Sequence, residues 1–515
     1  MKLNNLLYIG LGAAMLTLSS CSDFLNQDPK VTVAKQTYYS NDKEANTAIV
    51  GLYSFLQLER TEIGPIMVVG DDCSDDCTIG NNKSEAYSWF GGVAEQMISF
   101  ETQPNNWLSN QSWQSIWFGI SNCVQALDRL KANKEAIGNK YNQYVGEARF
   151  LRAAYYFLLT RMYGRQPLME HTFNYEEFFT PRATIEQTWQ FIEDDLKAAA
   201  ELLPEKSQYE QSDLGRATKG TALTLLGKCY LYQSKWQDTY DTLLKVIQSG
   251  EYDLEPNYAD VFDLDHENGI ESIFEIQHSI SGTGWSDANE GNILSFYEHD
   301  ATDDGVKWHS GWSMHCPTQD LVDEYEAGDP RLKATILFPN EYFDGRVNKN
   351  IASPTGYHSK KWYVPYAQRS QKDQSDNPKN VILMRYADVL LQMAEACNEL
   401  DLPDKALVYL KKVRDRARNS AQESTTNLLP AVTTTDKEAL RNAIYHERRV
   451  ELACEGERFY DLVRQGRAGK VMKAYQAKYG GLKGKAWKDG KSELQPLPEA
   501  QVTLSNGNLE QNPHY

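Results

Sequence analysis

Two stretches of the chain, GKCYLYQSKWQDTYDTLLKVI (227–247) and AEACNELDLPDKALVYLKKVR (394–414), align without a gap. Gly227, Cys229, Tyr240, Leu243 and Val246 fall opposite Ala394, Ala396, Leu407, Leu410 and Val413. Each stretch reads as helix, short turn, helix, and a small residue on the first helix lets the second approach closely, the packing logic of tetratricopeptide-type hairpins. The two copies lie much farther apart than the repeat length of about 34 residues, so the hairpins are interrupted by long inserts and are not a simple tandem array. Elsewhere the apolar period is again helical. Ile116, Ile120, Val124 and Leu127 recur at three and four within WQSIWFGISNCVQALDRL (113–130),. GEARFLRAAYYFLLTRMYG (146–164) predicts a helix ended by glycine, and Thr184 opens a third that Pro204 stops,. Strand alternation is scarce, so the expected fold class is all-α.

With 515 residues, 41% of them hydrophobic and 24% charged, the chain can bury a sizeable core,. The formal net charge of −18, from 53 basic and 71 acidic residues, works against a phosphate-tracking groove, so nucleic acid is not an expected partner,. The 30 Tyr, 17 Phe and 11 Trp are harder to place, because several stand in polar, glycine-bearing stretches where core residues are not expected,.

The apolar run from Leu6 to Leu18 is too short to span a bilayer and suits the apolar region of a secretory leader,. Leu18-Ser19-Ser20-Cys21 matches a bacterial lipobox, which makes residues 1–20 a removable signal peptide and Cys21 the lipidation site. Diacylglycerol and palmitate-type chains on Cys21 give the multiple acylation that makes anchoring stable. Loss of Lys2 with the leader takes the net charge to −19.

Seven cysteines remain at irregular spacings, which is no disulfide framework,. Cys73 and Cys77 sit in GDDCSDDC, which lacks both a second ligand pair for zinc and the glycine and distal Glu of a calcium loop,. It reads as a solvated acidic loop with two free or disulfide-linked thiols; no metal and no cofactor is expected. Three inserts stand out, at 70–112, 281–316 and 340–380. The first two mix Trp and Tyr with Gly, Asn, Asp and Ser, residues that make irregular backbone and supply amide and carboxylate partners,. That composition suits sugars, whose C–H faces stack on aromatic planes while their hydroxyls take planar hydrogen-bond partners.

In YHERRVELACEGERFYDLVR (445–464), Glu447, Glu451 and Glu455 recur at i,i+4 and repel on a helix, by a few tenths of a kcal/mol per pair in order of magnitude,. Arg414 and Arg418 on the preceding helix are the expected counter-charges, beside Leu452 and Phe459. A catalytic reading of these carboxylates with His446 is disfavoured, because they lie in regular helix and do not converge from several loops. GTALTLLGK (220–228) has six residues between its glycines where a phosphate loop needs four, and neither HExxH nor GxSxG occurs,.

The 445–466 stretch resembles the C-terminal fingerprint of the SusD/RagB family, surface lipoproteins that feed TonB-dependent transporters of the outer membrane. EARFLRAAYYFLLTRMYGRQPL, LGRATKGTALTLLGKCYLYQSKW, GWSMHCPTQDLVDEYEAGDPR, RYADVLLQMAEACNEL and LQPLPEAQVTLSNGNLEQNPHY resemble further family segments, in the family's order. The resemblance implies a SusD-like fold over 21–515, with a helical N-terminal part (21–250) carrying the first insert and a C-terminal part (251–515) carrying the ligand-loop inserts. It implies tetratricopeptide-type hairpins facing a SusC-like transporter, long irregular loops carrying a shallow glycan site, no catalysis, and attachment to the outer membrane through the lipid anchor. A peptide-binding protein of the RagB kind and a non-binding structural lid are the alternatives. By composition, Trp89, Trp107, Trp285, Tyr297 and Trp308 are the expected stacking platforms, with Asn81, Asp287 and Asn289 as hydroxyl partners; Trp312 joins them from a family segment. Two or three stacked rings at about 0.5–1.5 kcal/mol each, with partly solvated hydrogen bonds, predict millimolar to micromolar affinity.

Overall fold

A computed structural model describes residues 39–80, 90, 92–283, 290–298, 311–348, 353–370, 372–373, 375–421 and 428–515. Among these, ten helices of twelve residues or more carry the architecture: α1 (Asp42–Tyr53), α2 (Trp107–Ala132), α3 (Tyr141–Tyr163), α4 (Ile185–Leu202), α5 (Lys219–Tyr232), α6 (Trp236–Ser249), α7 (Tyr386–Glu399), α8 (Pro403–Asn419), α9 (Lys437–Glu451) and α10 (Ala468–Tyr479). Local chemistry sets several of their ends. Thr184 and Gln187 form a reciprocal capping box at the start of α4, and Gly164 at φ +76° follows α3 where a side chain would be strained,. The apolar stripe is buried as its period requires: Ile116, Ile120 and Val124 are inaccessible to solvent,.

Each helix packs on the next, α2 on α3, α3 on α4, α4 on α5, α5 on α6, then α6 on α7 and α7 on α8 and α9. The two hairpins recognised in the sequence, α5/α6 and α7/α8, are therefore neighbours in space although residues 250–385 separate them. Gly227 serves the close approach expected of it, since a Cβ there would stand 2.3 Å from Leu243 Cδ2. The intervening chain leaves the array and returns through an antiparallel ribbon. Eight short strands among the described residues pair off: β1 (Cys77–Thr78) with β3 (Cys316–Pro317), β2 (Ser272–Ile276) with β8 (Val381–Arg385), β4 (Ile336–Leu337) with β7 (His358–Ser359), and β5 (Tyr342–Phe343) with β6 (Arg346–Val347). The β2–β8 ribbon is the neck of the insert, because β8 runs directly into α7.

The charged 445–464 stretch lies inside the molecule. Glu447 and Glu451 are inaccessible to solvent, as are Arg331 and all but a trace of Arg385. Arg414 meets Glu447 at 2.7 Å as expected, but the second expected cation does not take part: Arg418 donates to the Leu428 and Leu429 carbonyls and to Asp415. Glu451 is instead held by Arg385 at 2.7 Å, Arg331 at 3.0 Å and Arg416. Glu455 lies beyond the end of α9 and pairs with Arg385 and Lys361. Arg331 and Arg385 come from distant segments, which is why helical periodicity could not name them.

GDDCSDDC is not a solvated loop. A fully buried π-helical segment, Ile63–Asp72, leads into it, and Asp71, Asp72, Asp75 and Asp76 are buried with it. Arg458 grips Asp75 with two bonds of 2.8 and 2.9 Å, Arg449 reaches Asp76 at 2.7 Å, and Lys483 donates to the Asp72, Ser74 and Cys77 carbonyls. Burial alone would raise the Asp75 pKa, but Arg449 and Arg458 hold it far below the usual carboxylate range,. The backbone of this segment touches the fingerprint directly. A Cβ on Gly70 would stand 2.3 Å from the Gly456 carbonyl oxygen, so this contact requires glycine,. All seven cysteines after Cys21 are buried and none is in a disulfide.

Candidate functional site

The bases of the three inserts converge on one aromatic floor. A short helix, Leu294–Glu298, is tied down by Asn292, whose Oδ1 accepts from Ser295 N and whose Nδ2 donates to the Lys379 carbonyl. Tyr297 on that helix meets Phe90 of the first insert edge-on at 5.1 Å and Trp312 at 4.7 Å, and Trp312 also meets Phe296 at 5.2 Å. The chain that leaves at Glu298 returns alongside: Trp312 N donates to the Phe296 carbonyl and Met314 N to that of Tyr297. These bonds close the neck of the second insert.

The third insert clamps the same place. Asp376 accepts from Ser281 N at 2.9 Å and from Gly282 N at 2.6 Å, while Asn377 donates to Ser295 Oγ and its carbonyl accepts from Asn292 N at 2.7 Å. A carboxylate receiving two backbone N–H groups is a strong anchor for a loop entry. Below the floor, His278 Nε2 stands 2.8 Å from Glu62 in a fully buried pair. Burial is the largest influence on the His278 pKa and lowers it, yet the charge and hydrogen bond of Glu62, with the Glu290 carbonyl and the Glu267 charge, together raise it,.

The structure divides the expected binding residues into three groups. Asn81, Trp89, Trp285, Asp287, Asn289 and Trp308, with the lipidation site Cys21, lie outside the described residues. Trp107 and Trp312 keep accessible surface: Trp107 opens α2 and is 37% exposed, and Trp312 is half-buried against the floor. Tyr297 departs from expectation. Its ring is completely buried and its hydroxyl donates to Glu59 Oε1 at 2.5 Å, so it is a supporting wall and not an exposed stacking platform. Its burial follows from its place on a helical turn whose neighbours Leu294, Ser295 and Phe296 all face inward. Composition missed Phe90, Phe296, Asn292, Asp376 and Asn377, because nothing in their local sequence shows that the three inserts meet.

His446 is half-buried and bound to Glu324 at 2.7 Å, with Glu326 at 3.4 Å. This is an ion pair on the flank of α9. Burial is the largest influence on the His446 pKa and lowers it, but the Glu324 hydrogen bond and the charges of Glu324, Glu447 and Glu326 together raise it, while the Glu324 pKa is lowered. A raised histidine pKa contributes stability that is complete below the unfolded value of about 6.5 and is lost as pH rises through the folded value. His446→Gln is therefore expected to flatten the fall of thermal midpoint expected of the unaltered chain as pH rises through the raised His446 pKa. Parallel pH profiles by calorimetry would remove the assignment.

Comparison with known proteins agrees in every direction with this architecture. Residues 270–515 match the model described as the SusD family, and residues 63–231 match one described as "Starch-binding associating with outer membrane". SusD-like protein P25 of Formosa agariphila is 26% identical over 503 residues, 90% of each chain. A solved structure titled "Laminarin binding SusD-like protein" is 27% identical with a TM-score of 0.74, over 92% of this chain and 100% of that one. The surface glycan-binding protein A of Bacteroides thetaiotaomicron, solved in complex with laminarihexaose, shares the fold with a TM-score of 0.75 at 22% identity, over 92% and 99% of the two chains.

Proposed function

The chain belongs to the SusD family, and from that premise we propose that it is a lipid-anchored surface protein that binds glycans and passes them to a SusC-like TonB-dependent transporter. It acts by binding and release without covalent chemistry. The observation that carries this reading is the convergence of three inserts, the first two of them aromatic and amide-rich, on one floor from which Trp312 still reaches solvent. Rings held at fixed angles by edge contacts offer flat faces at little entropic cost, which suits weak, reversible capture of a sugar. The resemblance to a laminarin-binding relative supports the ligand class and makes laminarin the first sugar to test. Cys21 supplies the anchor, and tethering makes weak affinity sufficient, because a polymer held at one site meets neighbouring copies at high effective concentration.

The test is a glycan array followed by calorimetric titration on protein lacking residues 1–20. The expected outcome is millimolar to micromolar binding of a neutral oligosaccharide, weakened by Trp312→Ala and by Trp→Ala changes at positions 89, 285 and 308. Binding of oligopeptides and of no sugar would transfer the protein to the peptide-capturing alternative, and turnover of a bound glycan above a denatured control would make it an enzyme.

A further inference from the structure

A second site, independent of the glycan reading, lies in the interior. Cys77 on β1, His315 just before β3 and Cys454 just after α9 bring their donor atoms within 4.8 Å of one another, and all three residues are inaccessible to solvent. The Cys77 and Cys454 sulfurs stand 3.5 Å apart across a sequence separation of 377 residues. We propose that Cys77, His315 and Cys454 form a structural site for a soft divalent cation, zinc by preference, that staples the acidic segment after the π-helical turn to the C-terminal fingerprint.

Four observations carry this. The sulfur spacing is within a few tenths of an ångström of the roughly 3.8 Å that two thiolates take on a tetrahedral zinc at about 2.3 Å each. His315 is arranged as a metal ligand is: Nδ1 faces Asp72 Oδ1 at 3.0 Å, the ring stacks on Trp362 at 5.3 Å and 10°, and Nε2 has no hydrogen-bond partner. A carboxylate on the far nitrogen fixes the tautomer and turns the other lone pair to the ion. Two carboxylates stand by for the remaining position and for charge. Asp71 Oδ2 is 3.6 Å from His315 Nε2 and accepts from Gly456 N while Asp71 Oδ1 has no hydrogen-bond partner, and Glu298, fully buried, interacts electrostatically with both His315 and Cys454. A buried carboxylate oxygen without a partner is costly, and a cation beside it relieves that cost.

The donor set selects the ion. Two thiolates and an imidazole favour zinc over calcium or magnesium, which take oxygen ligands. Cys73, the other cysteine of GDDCSDDC, is not part of the group. Complete burial leaves no room for substrate, so the ion's contribution is to folding: it ties together backbone that is remote in sequence, and its binding free energy becomes stability.

The full chain, expressed with zinc in the medium and purified under reducing, chelator-free conditions, is expected to carry about one zinc per molecule by elemental analysis. After stripping and reloading with cobalt(II), it should show the thiolate-to-cobalt charge-transfer band and the ligand-field bands of a tetrahedral ion. Cys454→Ser and Cys77→Ser should abolish the charge-transfer intensity or halve it, Cys73→Ser should leave it intact, and stripping should lower the thermal midpoint by several degrees. Because the cobalt spectrum of the unaltered chain needs no variant to fold, it decides by itself. Reduced protein that takes up no cobalt, or native protein in which peptide mapping finds Cys77 and Cys454 joined as a disulfide, overturns the proposal.

Discussion

Glu451→Gln is expected to cost about 3–5 kcal/mol, because removing one partner of a buried ion pair leaves the others uncompensated. The Glu451 carboxylate faces Arg331, Arg385 and Arg416 with no access to water, and Arg385 and Arg416 converge again on Glu271 at 2.8 and 2.6 Å. Burial pushes the Glu451 pKa up, but the three guanidiniums together hold it well below the usual carboxylate range. A depressed carboxylate contributes stability that is present above its unfolded pKa and lost as pH falls through the folded one, so at neutral pH the contribution is in full force. Glutamine keeps the shape and removes the charge. The comparison variant is Asp489→Asn, which breaks the exposed Lys473–Asp489 pair and should cost between nothing and about 1 kcal/mol,. Calorimetry on both variants decides: equal midpoints would mean the buried cluster is electrostatically neutral to the fold. Glycan affinity of the folded Glu451→Gln protein should be unchanged, which separates a structural role from the catalytic one that the same residues suggest on paper.

That cluster also shows where reading a sequence stops. Helices α2, α3 and α4 were legible because their apolar stripes and caps are local, and a period of three and four survives whatever the helix packs against. The hairpin pair α5/α6 and α7/α8 was legible as a repeat, yet its adjacency across residues 250–385 depends on the β2–β8 neck, which no periodicity announces. Charge composition misled at GDDCSDDC. Four aspartates in eight residues look solvated until Arg449 and Arg458 arrive from sequence separations of 373 and 383 residues to neutralise Asp76 and Asp75 inside the protein, while Asp71 and Asp72 face His315. The proposed binding face was legible only as composition. The aromatic and amide content of the inserts pointed to sugar, but whether a ring faces outward or supports its neighbours is decided by contacts between inserts, and Tyr297 went to the supporting side.

Tyr297 is for that reason the position where the floor can be broken with a single change. Its ring joins Phe90 from the first insert to Trp312 from the second, and its hydroxyl reaches Glu59 on a helix that leads into the buried π-helical segment. Tyr297→Ala removes a fully buried aromatic side chain, a change expected to cost about 3–5 kcal/mol. Tyr297→Phe keeps the ring contacts and loses only the bond to a carboxylate, about 1.5–3 kcal/mol. The two variants separate stability from support. Hydrogen exchange in Tyr297→Ala should quicken at 92–106, 290–298 and 311–316 together, since one ring holds all three, whereas Tyr297→Phe should leave these segments protected. If Trp312 contacts ligand, losing its edge-on neighbour frees it to rotate, and affinity for the bound glycan should fall by about tenfold or more, equivalent to roughly 1.4 kcal/mol. An alanine variant that keeps both its protection and its affinity would show that the inserts hold their shape without a common floor, and that the rings proposed to contact glycan take their orientation from within each loop.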